Sequence, residues 1–188
     1  MLRVSALSLI EFHYSPGEVL PICRAEIIPN HGRIMSKTLE LTLPGNALID
    51  LIQAVLVRGS SIKIEAGGTS MFPFIRNGDV VTLSALRDKS PRVGDVVAFR
   101  VSGSDRLAFH RVAGKINDRC LIRGDNCEEA DGLASKSDIL GRVCAVERNG
   151  AGVYFGFGLE RRLIAFLSRS NLMSGLNRII GLIIGLCR

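Results

Sequence analysis

Between residues 61 and 150 the chain is written in short β-branched runs: SIKIEAGG, DVVTLSAL, GDVVAFRVS, LAFHRVAGKI, RCLIRGD and LGRVCAVERNG. Glycine, proline, aspartate and asparagine break these runs at strand-plus-turn intervals. A stretch punctuated this way cannot hold a long helix, and its apolar residues can be buried only on the faces of a sheet. The spacing therefore predicts a mainly β core of about six strands. GVYFGFG, residues 152–158, reads as a further edge strand.

The flanks differ from this core. Residues 1–34 carry Pro16, Pro21 and Pro29 with no clean period and read as an irregular extension, with Met35 as an alternative natural start. Residues 35–60 read as a helical lead-in. Within them, Asn46 can cap a helix whose Leu48, Leu51, Ile52, Val55 and Leu56 fall at helical spacing, and Gly59 can end it. Residues 151–188 combine the edge strand with an apolar tail. Arg169, Asn171, Asn177 and Arg178 interrupt that tail, so it lacks the roughly 20 uncharged residues of a membrane span. Two readings stand for 159–188: an amphipathic helix on a membrane surface, or a terminal helix capping the core. The N-terminus lacks a convincing signal peptide, and the helix around 46–57 is too short to be an anchor. The expected placement is cytoplasmic or peripherally membrane-associated.

Composition excludes some functions. Hydrophobic residues make up 47% and charged residues 22%, which is not the balance of a disordered chain. The net charge of +6 could meet an anionic partner. The basic residues are scattered, however, so no nucleic acid is expected. The 5 cysteines form no C-x-x-C pair, and the 3 histidines stand at 13, 31 and 110. No metal or other cofactor follows from that spacing; small thiols in a reducing compartment do.

GGTSMFPFIRNGDVV, residues 67–81, places Ser70 on a tight Gly-rich approach. A serine hydroxyl needs a base before it can act as a nucleophile. His110 is the only histidine in the β region, and alternation puts Ala108 and Val112 on its face of the strand. Such a histidine is equally at home as a satisfied core residue. RGDNCEEAD supplies Asp125 and Asp131, either of which could orient the ring, or could simply cap its own turn. From the residues alone, both the chemical and the structural readings stay open.

The ordered boxes GGTSMFPFIRNGDVV, RVGDVVAF, FHRV, IRGDNCEEAD and DILGRV resemble type I signal peptidases over about 67–146. The resemblance is strongest to the Ser-His subtype of the endoplasmic reticulum and archaea. It implies a signal-peptidase-like folded sheet or barrel with flanking N- and C-terminal helices. It also implies Ser70 as nucleophile, His110 as general base and Asp131 as the acid that orients it. Asp125 would support the loop, while Met71 and Pro73 shape the turn that presents Ser70. An extended segment of a peptide or protein precursor would add beside KIEAGG, with small residues near the scissile bond. Two features depart from the pattern. Gly68 stands where many members carry a serine that helps bind the oxyanion, and no spanning helix precedes the serine box.

Three functions follow from this. The first is a serine endopeptidase, and the second a pseudopeptidase that grips an extended strand without cutting it. The third is a self-cleaving regulator like the repressors of the SOS response, which would need a DNA-binding half that the first 60 residues do not show. Lys115 is the rival base, but odd spacing along the strand points it away from His110 unless a bulge intervenes.

Overall fold

The computed structural model describes residues 22–28, 37–42, 45–86, 90–101, 103–104, 106–154 and 156–170. The proposed start at Met35 and the tail beyond residue 170 lie outside them. The strands are β1 (Ile22–Ile28), β2 (Lys37–Thr42), β3 (Ser61–Glu65), β4 (Val80–Ser84), β5 (Val96–Arg100), β6 (Leu107–Ile116), β7 (Arg119–Arg123), β8 (Gly132–Ala134), β9 (Ile139–Arg148) and β10 (Ala151–Gly152). Helix α1 (Gly45–Val57) lies between β2 and β3 rather than ahead of the sheet, and α2 (Arg161–Arg169) follows β10. The fold is mainly β. All pairings are antiparallel, in the order β2-β1-β3-β4-β9-β5-β6-β7-β8, with β10 on β9.

The six β-branched runs between 61 and 150 all form strands. Asn149 and Gly150 both take positive φ (52° and 78°), the two-residue turn that suits a right-twisted hairpin. Register shifts between Thr82 and Leu83, Ala98 and Phe99, and Val112 and Gly114 bend the long strands.

The edge strand expected at 152–158 is present only at its start: β10 pairs with β9 through Gly152, Val153 N–H adds a bond to Val146 O (2.8 Å), and Gly156 and Phe157 lie in a turn. The positive φ of Gly156 (96°) and its carbonyl, which is taken by a buried arginine, draw the chain off the sheet edge. Two strands also fall in stretches that read as irregular or helical. β1 is a seven-residue run closed off by Pro21 and Pro29, and in β2 Leu39 and Leu41 alternate with Thr38, Glu40 and Thr42. A two-residue period this short is easily hidden by neighbouring prolines and glycine.

Helix α1 begins one residue before the expected cap: Asn46 lies in its first turn, where its Oδ1 accepts from the Ala47 N–H at 2.7 Å, and Gly59 follows the helix at φ 74°. Leu48, Ile52, Val55 and Leu56 are buried against Ile62, Ile64, Val81, Leu83, Val143 and Val146. Each such side chain contributes about 1.5–3 kcal/mol through apolar burial, so Ile52→Ala would open a costly cavity beneath β3. A second cluster, Val97, Phe99, Val112, Cys120, Ile122 and Ile139, fills the space between β5, β6, β7 and β9. α2 lies on β6, with Ile164 packed against Phe74.

Candidate active site

Ser70 lies in the loop between β3 and β4. Backbone bonds close the base of that loop, from Ala66 N–H to Asp79 O (2.7 Å) and from Gly78 N–H to Ala66 O (2.9 Å). Just after Ser70 the chain coils tightly, with Phe72 N–H on Thr69 O and both Phe74 and Ile75 N–H on Met71 O. Met71 is buried in the main core and so anchors the coil from below. Pro73 sits within it, preceded by a cis peptide bond. Gly68 takes φ 83°, a region that side chains rarely adopt.

His110 comes from the middle of β6 and is buried. Its Nδ1 lies 2.6 Å from Asp131 Oδ2, and its Nε2 lies 2.8 Å from Ser70 Oγ. The ionised carboxylate can only accept, so Nδ1 carries the proton and donates to Asp131. Nε2 is then the acceptor for the Ser70 hydroxyl proton. Asp131 is placed by the sheet. Its N–H donates to Ile122 O (3.0 Å), and β8 begins at the next residue, pairing Gly132 with Ile122. The structure thus brings Ser70, His110 and Asp131 together into one relay.

Lys115, the rival base, lies beyond a bulge after Val112, so the alternation argument does not apply to it. Lys115 is exposed and pairs with Cys120, well away from the serine loop.

Asp125 does a different job. It receives two nitrogens of Arg111: Nε at 2.8 Å to Oδ1 and Nη2 at 2.7 Å to Oδ2. Both side chains are fully buried. Arg111 Nη1 also donates to Gly94 O and Gly156 O, each at 2.9 Å, and the guanidinium stacks 5.3 Å from the Phe74 ring centre. One arginine therefore ties together the turn before β5, the 124–131 loop, the turn after β10 and the serine loop. Sequence reasoning missed it. The available signal was an arginine set among β-branched residues beside the candidate base.

Gly124 is the second residue missed. A Cβ there would fall 2.8 Å from Ser70 O, 3.1 Å from His110 Nε2 and 2.6 Å from Cys127 Sγ. Only glycine lets the 124–131 loop press against the serine and the imidazole. The Asn126 N–H then donates to Ser70 O at 2.8 Å, fixing the serine backbone to that loop. Burial pushes the Cys127 thiol up, and the nearby Asp131 charge adds to this, so the thiol stays protonated at neutral pH.

The chain carries Gly-Asp-Val-Val twice, at 78–81 and 94–97, and the two turns close in the same way. Asp79 accepts from the Arg76 N–H and Asp95 from the Arg92 N–H, both at 2.8 Å. Asp79 pairs with Arg148 (2.7 Å) and Asp95 with Arg161 (2.9 Å). Burial pushes the Asp79 carboxyl up, but hydrogen bonds from Arg148 and from the Arg76 N–H outweigh it and hold the carboxyl below its usual range.

The position two residues before Ser70 supplies no side-chain donor. The Gly68 N–H is itself directed to Asn77 Oδ1 at 3.2 Å. Among the described residues no cluster of His, Cys, Asp and Glu could hold a metal, and no helix is long and apolar enough to cross a membrane.

A hydroxyl, an imidazole and a carboxylate in hydrogen-bonded series on an antiparallel sheet form the constellation of a serine hydrolase. Over 88 residues the chain is 32% identical to the signal peptidase complex catalytic subunit SEC11C of Homo sapiens. The same identity holds for the proteins of that name from Canis lupus familiaris and Mus musculus. The match covers 39% of this chain and 45% of each of those proteins, so the chain spans less than half the length of the curated relatives it matches. No protein-family model matches the chain. Over the matched stretch the relationship is signal-peptidase-like.

Proposed function

We propose that the protein is a serine endopeptidase of signal-peptidase-like type, cutting an extended peptide segment of a precursor. The observation that carries this reading is the relay from Ser70 Oγ through His110 to Asp131, at 2.8 and 2.6 Å. His110 takes the hydroxyl proton as Ser70 Oγ attacks the scissile carbonyl, and Asp131 stabilises the imidazolium that forms. The Ser70 backbone N–H faces the developing oxyanion. The imidazolium then protonates the leaving amine, leaving an ester on Ser70. A water deprotonated by His110 hydrolyses that ester and restores the hydroxyl. Small residues at alternate positions of the substrate fit strand addition beside the serine loop.

Contact with a membrane surface belongs to the same reading. Leu159, Leu163 and Phe166 are exposed at helical spacing on and just before α2, with Arg162 and Arg169 exposed beside them. Apolar side chains flanked by arginines suit the boundary between head groups and acyl chains. The SEC11C proteins are named as subunits of a signal peptidase complex, and a precursor substrate is the corresponding expectation here.

Gly68 favours a second reading, a pseudopeptidase. Loss of one oxyanion donor costs on the order of a hundredfold to a thousandfold in rate, and that alone could leave a peptide-binding module. Wild-type protein and Ser70→Ala, each in detergent with a library of peptides bearing small residues at alternate positions, separate the two. Cleavage by the wild type alone is the expected result. Binding without cleavage by either protein would replace the peptidase with the binding module.

A further inference from the structure

β3 leads straight into the serine loop, and both of its edges are occupied. β4 pairs with one edge and β1 with the other. The β1 register sets Ile28 opposite Ser61 and Ala25 opposite Ile64. Because the pairing is antiparallel, β1 approaches the serine loop as it is followed back toward its own N-terminal end. It does not stop at Ala25. Arg24, Cys23 and Ile22 continue as strand, paired on the other side with Glu40, Leu41 and Thr42. The same strand line therefore runs on beyond the end of β3, alongside the approach to Ser70. On the reading of the serine loop as a peptide site, an extended substrate adding beside the end of β3 would lie on that same line.

Each backbone amide of β3 has one donor and one acceptor direction, so β1 and a substrate strand cannot both use the same edge. A strand tethered to its site also acts at an effective concentration on the order of millimolar. A free peptide of equal affinity would lose to it at ordinary concentrations. We propose that residues 22–28 are the resident occupant of the substrate edge, a built-in competitor that a substrate must displace. This rests on the reading of the serine loop as a peptide site, whether or not that site cuts.

The test uses the full chain with Glu26→Cys and Lys63→Cys, which are Cα partners across β1 and β3. Oxidation locks β1 in place and reduction frees it, while the wild type treated the same way controls for the native thiols. Binding of a fluorescent peptide with alternating small residues is measured on a Ser70→Ala background. Labelling of Ser70 by a small fluorophosphonate is measured on the Ser70 background. The lock should weaken peptide binding about tenfold or more, reversibly, while the fluorophosphonate still labels Ser70, because a small electrophile needs no strand edge. As the converse, Ile27→Pro together with Ala25→Pro removes two ladder donors and should tighten peptide binding severalfold. Equal peptide affinity in locked and reduced forms would overturn the proposal, and so would no peptide binding by either the reduced or the proline form. Lock-sensitive binding with no fluorophosphonate labelling in any form would sink the peptidase and leave the strand competitor standing.

Discussion

His110 and Arg111 are neighbours on β6, and each takes one aspartate from the same loop. The two pairs have opposite characters. The Arg111–Asp125 pair is fully buried, bidentate, and braced by Gly94 O and Gly156 O. The His110–Asp131 pair is single and short, and the Asp131 side chain is 27% exposed. One pair is closed off from solvent and holds four segments in place. The other lies at the lip of the sheet, and under the proposed function it is the one that would gain and lose a proton. Alternation along a strand sends adjacent residues to opposite faces, so one dipeptide braces the scaffold on one side and meets the serine loop on the other.

The sharpest break of this contrast is Asp131→Asn against Asp125→Asn. An amide at 131 would favour the wrong imidazole tautomer. kcat/KM should fall about 10⁴-fold, equivalent to about 5.5 kcal/mol of barrier, with the melting temperature little changed. An amide at 125 leaves a buried guanidinium uncompensated, and chemical denaturation should show a loss of about 3–5 kcal/mol of stability. If the two variants showed the same profile in both assays, the division of labour would be wrong.

Gly124→Ala tests what lies between the two aspartates. The added methyl must push against Ser70 O or the Cys127 sulfur, moving the serine away from the imidazole by a fraction of an ångström to an ångström. A displacement of that size costs about 100-fold in rate. Activity should therefore suffer far more than unfolding free energy, and a purely structural glycine would give the reverse.

The smallest effect concerns acid. The Asp79 carboxyl is held below its usual range in the folded state. Its contribution is therefore present above the unfolded carboxylate pKa and is lost as pH falls through the folded value. Wild-type protein should lose more stability between neutral pH and about pH 3 than Arg148→Met, which starts less stable and has less to lose. A wild type with the flatter profile would contradict the pairing.

Much of the β core was legible because its signals are local: β-branched runs broken by glycine, proline, aspartate and asparagine. The helix at α1 was legible for the same reason, its apolar spacing and its Gly59 end. Ser70, His110 and Asp131 could be named in order, but nothing local showed that they meet, since β8 sets the position of Asp131 and its three residues are too short to show a period. Arg111 and Gly124 were invisible because their reasons lie in segments distant along the chain. β1 was hidden between prolines, and only its pairing with β3 gives it meaning.

The Gly-Asp turns carry one last consequence. Arg76–Val81 and Arg92–Val97 differ at a single position, Asn77 against Val93, and both close with the same aspartate-to-amide bond. The hexapeptide encodes a shape but no address; the address comes from the arginine that answers it, Arg148 for one copy and Arg161 for the other. An alignment of distant homologues anchored on the hexapeptide alone can therefore slip by the spacing between the copies and still score well. Anchored on the hexapeptide and its answering arginine together, it has only one register to choose.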